Sequence, residues 1–205
     1  MGFYNKYILP QLTHWVCSQN DITRVRQEYV PLAKGRILEV GIGSGLNLPH
    51  YDPLKVEKIW GLDPSSELIK RARKQANQMP FDVEFIERSC EEIPMDDKSM
   101  DSVLVTYSLC SIPDISKALK EINRILKPGG ELIFCEHGRA PDDVISKWQD
   151  RVTPSWTKVS GGCHLNRDIS KLINKSRFKI IKYDEQYSSP LKLISFNYRG
   201  IATPS

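Results

Sequence analysis

The sequence predicts an α/β domain with a doubly wound, mostly parallel sheet and helices on both faces. Apolar segments of strand length alternate with amphipathic, helix-like segments along most of the chain. A glycine-rich turn follows the first apolar segment directly. The length of 205 residues, about 40% of them hydrophobic, suits one domain with a single core.

The glycine-rich turn lies in the segment 35–46, where Gly41, Gly43 and Gly45 are spaced two residues apart. Glycine tolerates positive φ and lets a ligand approach bare backbone, and the next helix would offer free N–H groups. This arrangement indicates a nucleotide-type cofactor site. The third glycine comes one residue earlier than in the dinucleotide fingerprint, and Glu39 stands two residues before the first. Both features favour a cationic ligand over a pyrophosphate.

Four stretches together carry a family resemblance: residues 37–45, 60–65, 100–105 and 125–134. They resemble, in order, the motifs of class I S-adenosylmethionine-dependent methyltransferases. The resemblance implies a Rossmann-like sheet of seven strands, S-adenosyl-L-methionine as cofactor and S-adenosyl-L-homocysteine as product. The stretches 136–139, 148–150 and 161–167 are similar to a branch that includes small thiol methyltransferases and bacterial phospholipid or quinone methyltransferases.

The resemblance also implies a set of cofactor residues. Asp63 ends the second strand, where relatives hold the ribose hydroxyls, and Ser89 replaces the aspartate that many relatives place near the adenine. Thr106 and Tyr107 end the strand beside which the methionine part would lie. The full expected set is Glu39, Gly41, Gly43, Gly45, Asp63, Pro64, Ser65, Ser89, Cys90, Glu91, Thr106 and Tyr107. Tyr4 and Tyr7 are added because their polar tips, on an amino-terminal helix, are expected to face the cofactor cleft.

Residues 1–34 are expected to form a helical cover. Tyr4, Ile8, Leu12 and Trp15 recur on one helical face, and Pro10 is expected to kink or interrupt that helix. The segment could pack on an edge of the core, close over the cofactor as a lid, or touch a membrane surface peripherally.

Residues 35–137 are expected to form the cofactor-binding core. After Pro64, a serine should cap a helix that runs to Asn77, and residues 83–87 should form the next strand. A strand through Val103 and Val105 leads to Tyr107, and the stripe Ala118, Ile122, Ile125 and Leu126 predicts a buried helix.

Residues 138–165 are expected to be a substrate-side insertion. The stretch 140–162 is too long and too aromatic, with Trp148 and Trp156, for a minimal connection. Residues 166–205 should then supply a helix capped by Asn166 and two closing strands, over 179–183 and 193–202.

Methyl transfer from a sulfonium needs mainly positioning and exclusion of water. An acceptor that must lose a proton would also need a base, and His137 and His164 are the catalytic candidates because they bracket the insertion. The structural alternative is that His137 orients a loop and His164 caps a helix.

The composition limits the classes of partner and of site that we expect for this chain. The net charge of +4 is spread among interleaved acids and bases, which argues against nucleic-acid binding. Five cysteines without C-x-x-C spacing predict a reduced, cytoplasmic protein with no metal site, and no apolar run could span a bilayer. Nothing in the sequence indicates the oligomeric state.

The predicted function is therefore methyl transfer from S-adenosylmethionine to a small, partly hydrophobic acceptor: a thiol, an amine or phospholipid, or a quinol. A nicotinamide-dependent oxidoreductase would share the glycine turn and Asp63, and a cofactor-binding protein without catalysis is the second alternative.

Overall fold

A computed structural model describes residue 4 and residues 8–205. The helices are α1 Leu9–Cys17, α2 Asn20–Tyr29, α3 Ser66–Ala76, α4 Ile115–Ile125, α5 Asp143–Val159, α6 Ile169–Lys175 and α7 Lys192–Ser195. The strands are β1 Gly35–Val40, β2 Val56–Leu62, β3 Val83–Ile86, β4 Met100–Thr106, β5 Leu126–His137, β6 Phe178–Tyr187 and β7 Phe196–Pro204.

The seven strands form one sheet in the order β3-β2-β1-β4-β5-β7-β6. All pairings are parallel except those of β7, which runs antiparallel between β5 and β6. The predicted mostly parallel, seven-stranded Rossmann-like fold is confirmed. The strand order reverses between β1 and β4, and ligands of such sheets bind at the carboxyl ends of the strands beside that point.

Apolar side chains fill both faces of the sheet. Successive strand residues point to opposite faces, so Leu38 and Val103 belong to one buried cluster and Ile37 and Leu104 to the other. The first cluster includes the apolar stripe of α4 and residues of α6, and the second includes residues of α2 and α3. Helices therefore cover both faces, as predicted.

The stretch 140–162, expected as an overlong insertion, is mostly occupied by α5, which has Pro154 in its interior. The fully buried residues of α5 are polar, Ser146, Gln149 and Thr153, and the partly buried Ile145 packs against the first apolar cluster. Gln149 accepts from the Ala140 N–H at 2.8 Å and donates to the Gly138 carbonyl at 3.0 Å. This amide anchors the helix together with the apolar contact of Ile145.

Three local expectations also need correction. Pro10 does not interrupt α1, because it lies in the first turn, where the missing N–H is not needed. Asp168 rather than Asn166 caps α6, its carboxylate accepting from Lys171 N–H at 3.0 Å. Residues 193–195 belong to α7, and the last strand begins only at Phe196.

Candidate functional site

A cavity of about 620 Å³ lies at the carboxyl ends of β1, β2 and β4. Its walls come from the turn after β1, the start of α3, the loops after β3 and β4, and α1. The main lining residues are Leu9, Pro10, Thr13, His14, Cys17, Arg26, Gly41, Ile42, Gly43, Ser44, Asn47, Asp63, Pro64, Ser65, Glu87, Ser89, Cys90, Thr106, Tyr107, Ser108, Ile112 and Pro113. This cavity thus occupies the position expected for a ligand of this fold.

Two glycines of the turn need to be glycine for different reasons. At Gly41, where φ is +71°, an added Cβ would lie 2.0 Å from Ser108 Oγ. At Gly43, where φ is +55°, an added Cβ would meet only one atom within 4 Å, the Gly41 carbonyl oxygen at 3.9 Å. Gly41 therefore permits close packing of β1 against the loop after β4, whereas Gly43 presents bare backbone to the cavity.

Asp63 carries a carboxylate that is bound to the turn after β1. Its Oδ2 accepts from the Gly43 N–H at 3.0 Å, and its Oδ1 accepts from the Ser65 N–H at 2.8 Å. Burial raises the pKa of Asp63, while these two backbone bonds oppose the shift. Ser65 in turn caps α3 as predicted, accepting from the Leu68 N–H at 3.4 Å. The carboxylate still has lone pairs available to a hydroxyl donor in the cavity.

Glu39 lies behind the cavity wall in a buried polar network. Asn47 Nδ2 donates to one carboxylate oxygen at 2.9 Å, and the Tyr51 hydroxyl donates to the other at 2.7 Å. Burial raises the pKa of Glu39 to about 7. Asn47 also donates to Thr106 Oγ1 and accepts from Arg26 Nε, each at 2.9 Å. The network fixes the two cavity residues Arg26 and Asn47, which the sequence reasoning missed.

Helix α1 closes one side of the cavity. Its inner residues Leu9, Pro10, Thr13 and His14 line the cavity, and His14 Nδ1 lies 2.7 Å from Ser44 Oγ in the turn after β1. Arg26 also hydrogen-bonds to the Cys17 carbonyl at the end of the helix. These contacts join α1 to the turn after β1 and to α2.

The chain is similar in sequence to proteins whose class is known. A family model described as a methyltransferase domain matches residues 38–134. Human thiol S-methyltransferase TMT1B is 31% identical over 164 residues, which cover 78% of this chain and 66% of that protein. The phosphatidylethanolamine N-methyltransferase of Cereibacter sphaeroides is 30% identical over 105 residues, covering 50% of this chain and 51% of that one. Residues 38–134 thus match a methyltransferase domain.

The fold comparison agrees with this family. The crystal structure of a S-adenosylmethionine-dependent methyltransferase from Methanosarcina mazei has a TM-score of 0.64 at 22% identity, over 82% of this chain and 92% of that one. At this identity the similarity concerns the fold. The chain spans 62–66% of the length of its four thiol methyltransferase relatives. The nicotinamide-dependent alternative is not retained, because the family match is to methyltransferases.

Most of the residues predicted to bind the cofactor line the cavity; these are Gly41, Gly43, Asp63, Pro64, Ser65, Ser89, Cys90, Thr106 and Tyr107. Gly45, Glu39, Glu91 and Tyr4 do not line it. Glu91 accepts from Ser89 Oγ at 2.7 Å and from the Asp114 N–H at 2.7 Å, so it supports the loop instead. The Tyr4 hydroxyl donates to the Val159 carbonyl at 2.5 Å, and Tyr7 lies outside the described residues.

Tyr107 and Glu136 shape the wall after β4. Tyr107 is a non-glycine residue at φ +52°, and its hydroxyl is buried without a hydrogen-bond partner in the described part of the chain. Glu136, on β5, accepts from the Ser108 N–H at 2.7 Å and the Leu109 N–H at 3.0 Å. Burial raises the pKa of Glu136 to about 7. A buried carboxyl group, not noticed in the sequence, thus holds this loop.

The two histidines proposed as bases lie next to the cavity but do not line it. His137 Nε2 is 3.2 Å from Cys163 Sγ, and His164 Nδ1 is 3.2 Å from the Cys110 carbonyl oxygen. His14, on α1, is the histidine that lines the cavity among the described residues. Trp148 and Trp156, expected in the substrate pocket, are also absent from the lining, and Trp148 is half exposed on the outer side of α5.

Proposed function

We propose that this chain transfers the methyl group of S-adenosylmethionine to a small, partly hydrophobic acceptor. The observation that carries the proposal is one continuous cavity that joins the glycine turn and Asp63 to an apolar wall under α1. The glycine turn supplies bare backbone, and the apolar wall supplies contacts for an acceptor.

The residues of the cavity fit this cofactor. Gly43 leaves open space where a side chain would stand, and the buried Asp63 carboxylate can accept bonds from ribose hydroxyls. Ser89 and Cys90 would flank the adenine, and Thr106 and Tyr107 the methionine part. Arg26, which lines the same cavity, offers a cation for the methionine carboxylate. When bound, S-adenosylmethionine supplies an activated methyl group on a sulfonium.

The protein itself would position the donor and the acceptor and keep water away from the reacting atoms. Helix α1 covers the cavity and is held to the turn after β1 by the His14 contact with Ser44. Covering the reacting atoms excludes water and fixes donor and acceptor at attack distance. An acceptor with a proton to lose needs a base. His137 and His164 remain the sequence-based candidates, and the placement of His14 on the cavity wall adds a third.

Among the three acceptor classes, a thiol is favoured. The similarity to the thiol methyltransferases extends over 73–78% of this chain. The similarity to the phosphatidylethanolamine and ubiquinone/menaquinone methyltransferases covers 50–57%. The longer match to the thiol methyltransferases supports this choice.

A peripheral membrane contact through α1 is a further part of the proposal. Ile8, Leu12, Trp15 and Val16 are each more than 40% exposed on or beside this helix. An exposed apolar stripe of this kind suits insertion into the headgroup region. No helix in the described part of the chain is long and apolar enough to cross a bilayer. Co-sedimentation with lipid vesicles tests the contact, and Trp15→Glu should reduce it.

The decisive experiment is a screen of small thiols, amines and quinols with the full chain and donor labelled in the methyl group. We expect labelled thioether from thiols. His14→Gln, His137→Gln and His164→Gln are tested in parallel, and the residue that acts as base should lose roughly 10²-fold in rate with little change in cofactor affinity. Labelled amine or quinol instead would replace the thiol assignment. Cofactor binding without any transfer would favour the non-catalytic alternative.

A further inference from the structure

Three residues that are distant in sequence meet beside the cavity. Cys110 follows β4, His137 ends β5, and Cys163 follows α5. Their sulfur and ring nitrogen atoms all lie within 4.8 Å of one another, and Cys163 Sγ is 3.2 Å from His137 Nε2. The function proposed above leaves both thiols without a role.

The spacing of these atoms suits a tetrahedral metal ion. Zn–S bonds of about 2.3 Å and Zn–N bonds of about 2.0 Å place neighbouring sulfur and nitrogen ligands about 3.6 Å apart, and two sulfur ligands about 3.8 Å apart. The observed separations of 3.2 Å and at most 4.8 Å are within about 1 Å of these values. Small side-chain shifts would therefore admit an ion.

The loops that carry the two cysteines are already fixed to each other. The His164 N–H donates to the Cys110 carbonyl at 2.8 Å, and His164 Nδ1 lies 3.2 Å from the same oxygen. Cys110 is only 3% exposed, and both cysteines are free thiols. His137 Nδ1 is buried with no hydrogen-bond partner among the described residues, while Nε2 faces Cys163. The donor atoms are thus preorganised before any ion binds.

We propose that Cys110, His137 and Cys163 bind one cation of the Zn²⁺ class through two thiolates and one imidazole. Such nitrogen and sulfur donors select Zn²⁺ or similar ions over Mg²⁺ and Ca²⁺. Each cysteine would release its thiol proton to solvent on binding, and water would occupy the fourth position. The ion would cross-link three segments next to Ser111 and Gly161 in the cavity wall. This site does not depend on the proposed methyl transfer, and an ion bound there would remove His137 from the candidate bases.

The test uses the full chain, reduced and stripped of metal, titrated with Co²⁺ in the absence of donor and acceptor. We expect one Co²⁺ per chain with a thiolate-to-cobalt charge-transfer band. Cys110→Ser, Cys163→Ser and His137→Gln should each weaken binding at least about tenfold. Cys90→Ser is the matched control, since Cys90 is 4% exposed and lies outside the cluster. It should bind Co²⁺ as the wild type does.

Circular dichroism shows whether each variant folds. If a variant does not fold, a second measurement, made on the wild-type chain, tests the site instead. Zn²⁺ should protect Cys110 and Cys163 of the wild-type chain, but not Cys90, from alkylation mapped by mass spectrometry. A wild-type chain with no charge-transfer band and no such protection overturns the site. A band that survives unchanged in both cysteine variants overturns the ligand assignment.

Discussion

At the scale of single residues, the site depends on buried carboxyl groups that have different tasks. Asp63 faces the cavity and holds Gly43 and Ser65. Glu39 and Glu136 hold the turn after β1 and the loop after β4 from behind. Burying a carboxyl group is costly, so each is retained with hydrogen-bond donors around it.

Replacing Asp63 should reduce cofactor affinity. Asp63→Ala removes the carboxylate that would accept from the ribose, which should weaken S-adenosylhomocysteine binding by about 1–3 kcal/mol in calorimetry. Asp52→Ala is the control, because Asp52 precedes β2 and does not line the cavity. Unchanged affinity in a folded Asp63→Ala chain would remove the ribose assignment.

Glu136 should make the fold less stable as pH rises. Its folded pKa of about 7 lies above the ordinary value of about 4.3. Between these pH values the unfolded chain has lost a proton that the folded chain keeps. The contribution of Glu136 to the free energy of unfolding is therefore full below pH 4 and falls by up to about 1.4 kcal/mol per pH unit until about pH 7. Glu39 acts in the same direction.

Urea unfolding between pH 5 and 7 measures this effect. Glu136→Gln keeps an oxygen to accept from Ser108 and Leu109 but cannot titrate, so its stability should fall less steeply than that of the wild type. Glu57→Gln, at an exposed position on β2, should keep the wild-type slope. Equal slopes in all three chains would contradict the raised pKa.

At the scale of elements, α1 lines the cavity, and α1 and α5 are held in place in different ways. Helix α1 has an inner surface that lines the cavity and an exposed outer surface with Leu12 and Trp15. Helix α5 is fastened by polar groups, through Gln149 to the backbone of residues 138 and 140 and to the Leu193 carbonyl. Hydrogen bonds of Gln149 therefore help to fix its position beside the apolar contact of Ile145.

The inner surface of α1 can be tested with a matched pair of substitutions. Thr13→Trp should fill part of the cavity and lower S-adenosylhomocysteine affinity at least about fivefold, because overpacking costs about 1–3 kcal/mol. Leu12→Trp, on the exposed surface of the same helix, should leave affinity unchanged. Equal effects, or none in either chain, would show that α1 does not cover the cofactor.

At the scale of the whole molecule, the sheet joins every part of the site. The turn after β1 and the loop after β4 face each other because β1 and β4 are neighbours at the reversal of strand order. Beyond β5, the antiparallel β7 and β6 are tied to α2: the buried Arg199 on β7 pairs with Asp184 of β6 and lies 3.8 Å from the Glu28 carboxylate. These contacts fix β7 and β6, which follow the methyltransferase motifs in the chain, to α2 beside the cavity.

The local features were readable from the sequence because each depends on residues close together in the chain. The glycine turn, the acid at the end of β2, the Ser65 cap and the apolar stripe of α4 are of this kind. Their order along the chain was enough to predict the parallel sheet, and most of the predicted site residues line the cavity.

Only the tertiary structure decided the contacts between distant segments. Gln149 joins α5 to residues 138, 140 and 193, and the Arg26–Asn47–Glu39 network joins α2 to the turn after β1. Cys110, His137 and Cys163 are at least 26 residues apart in the chain. The spacing of residues along the chain does not predict such contacts, because they are set by strand order and by the packing of helices across the sheet.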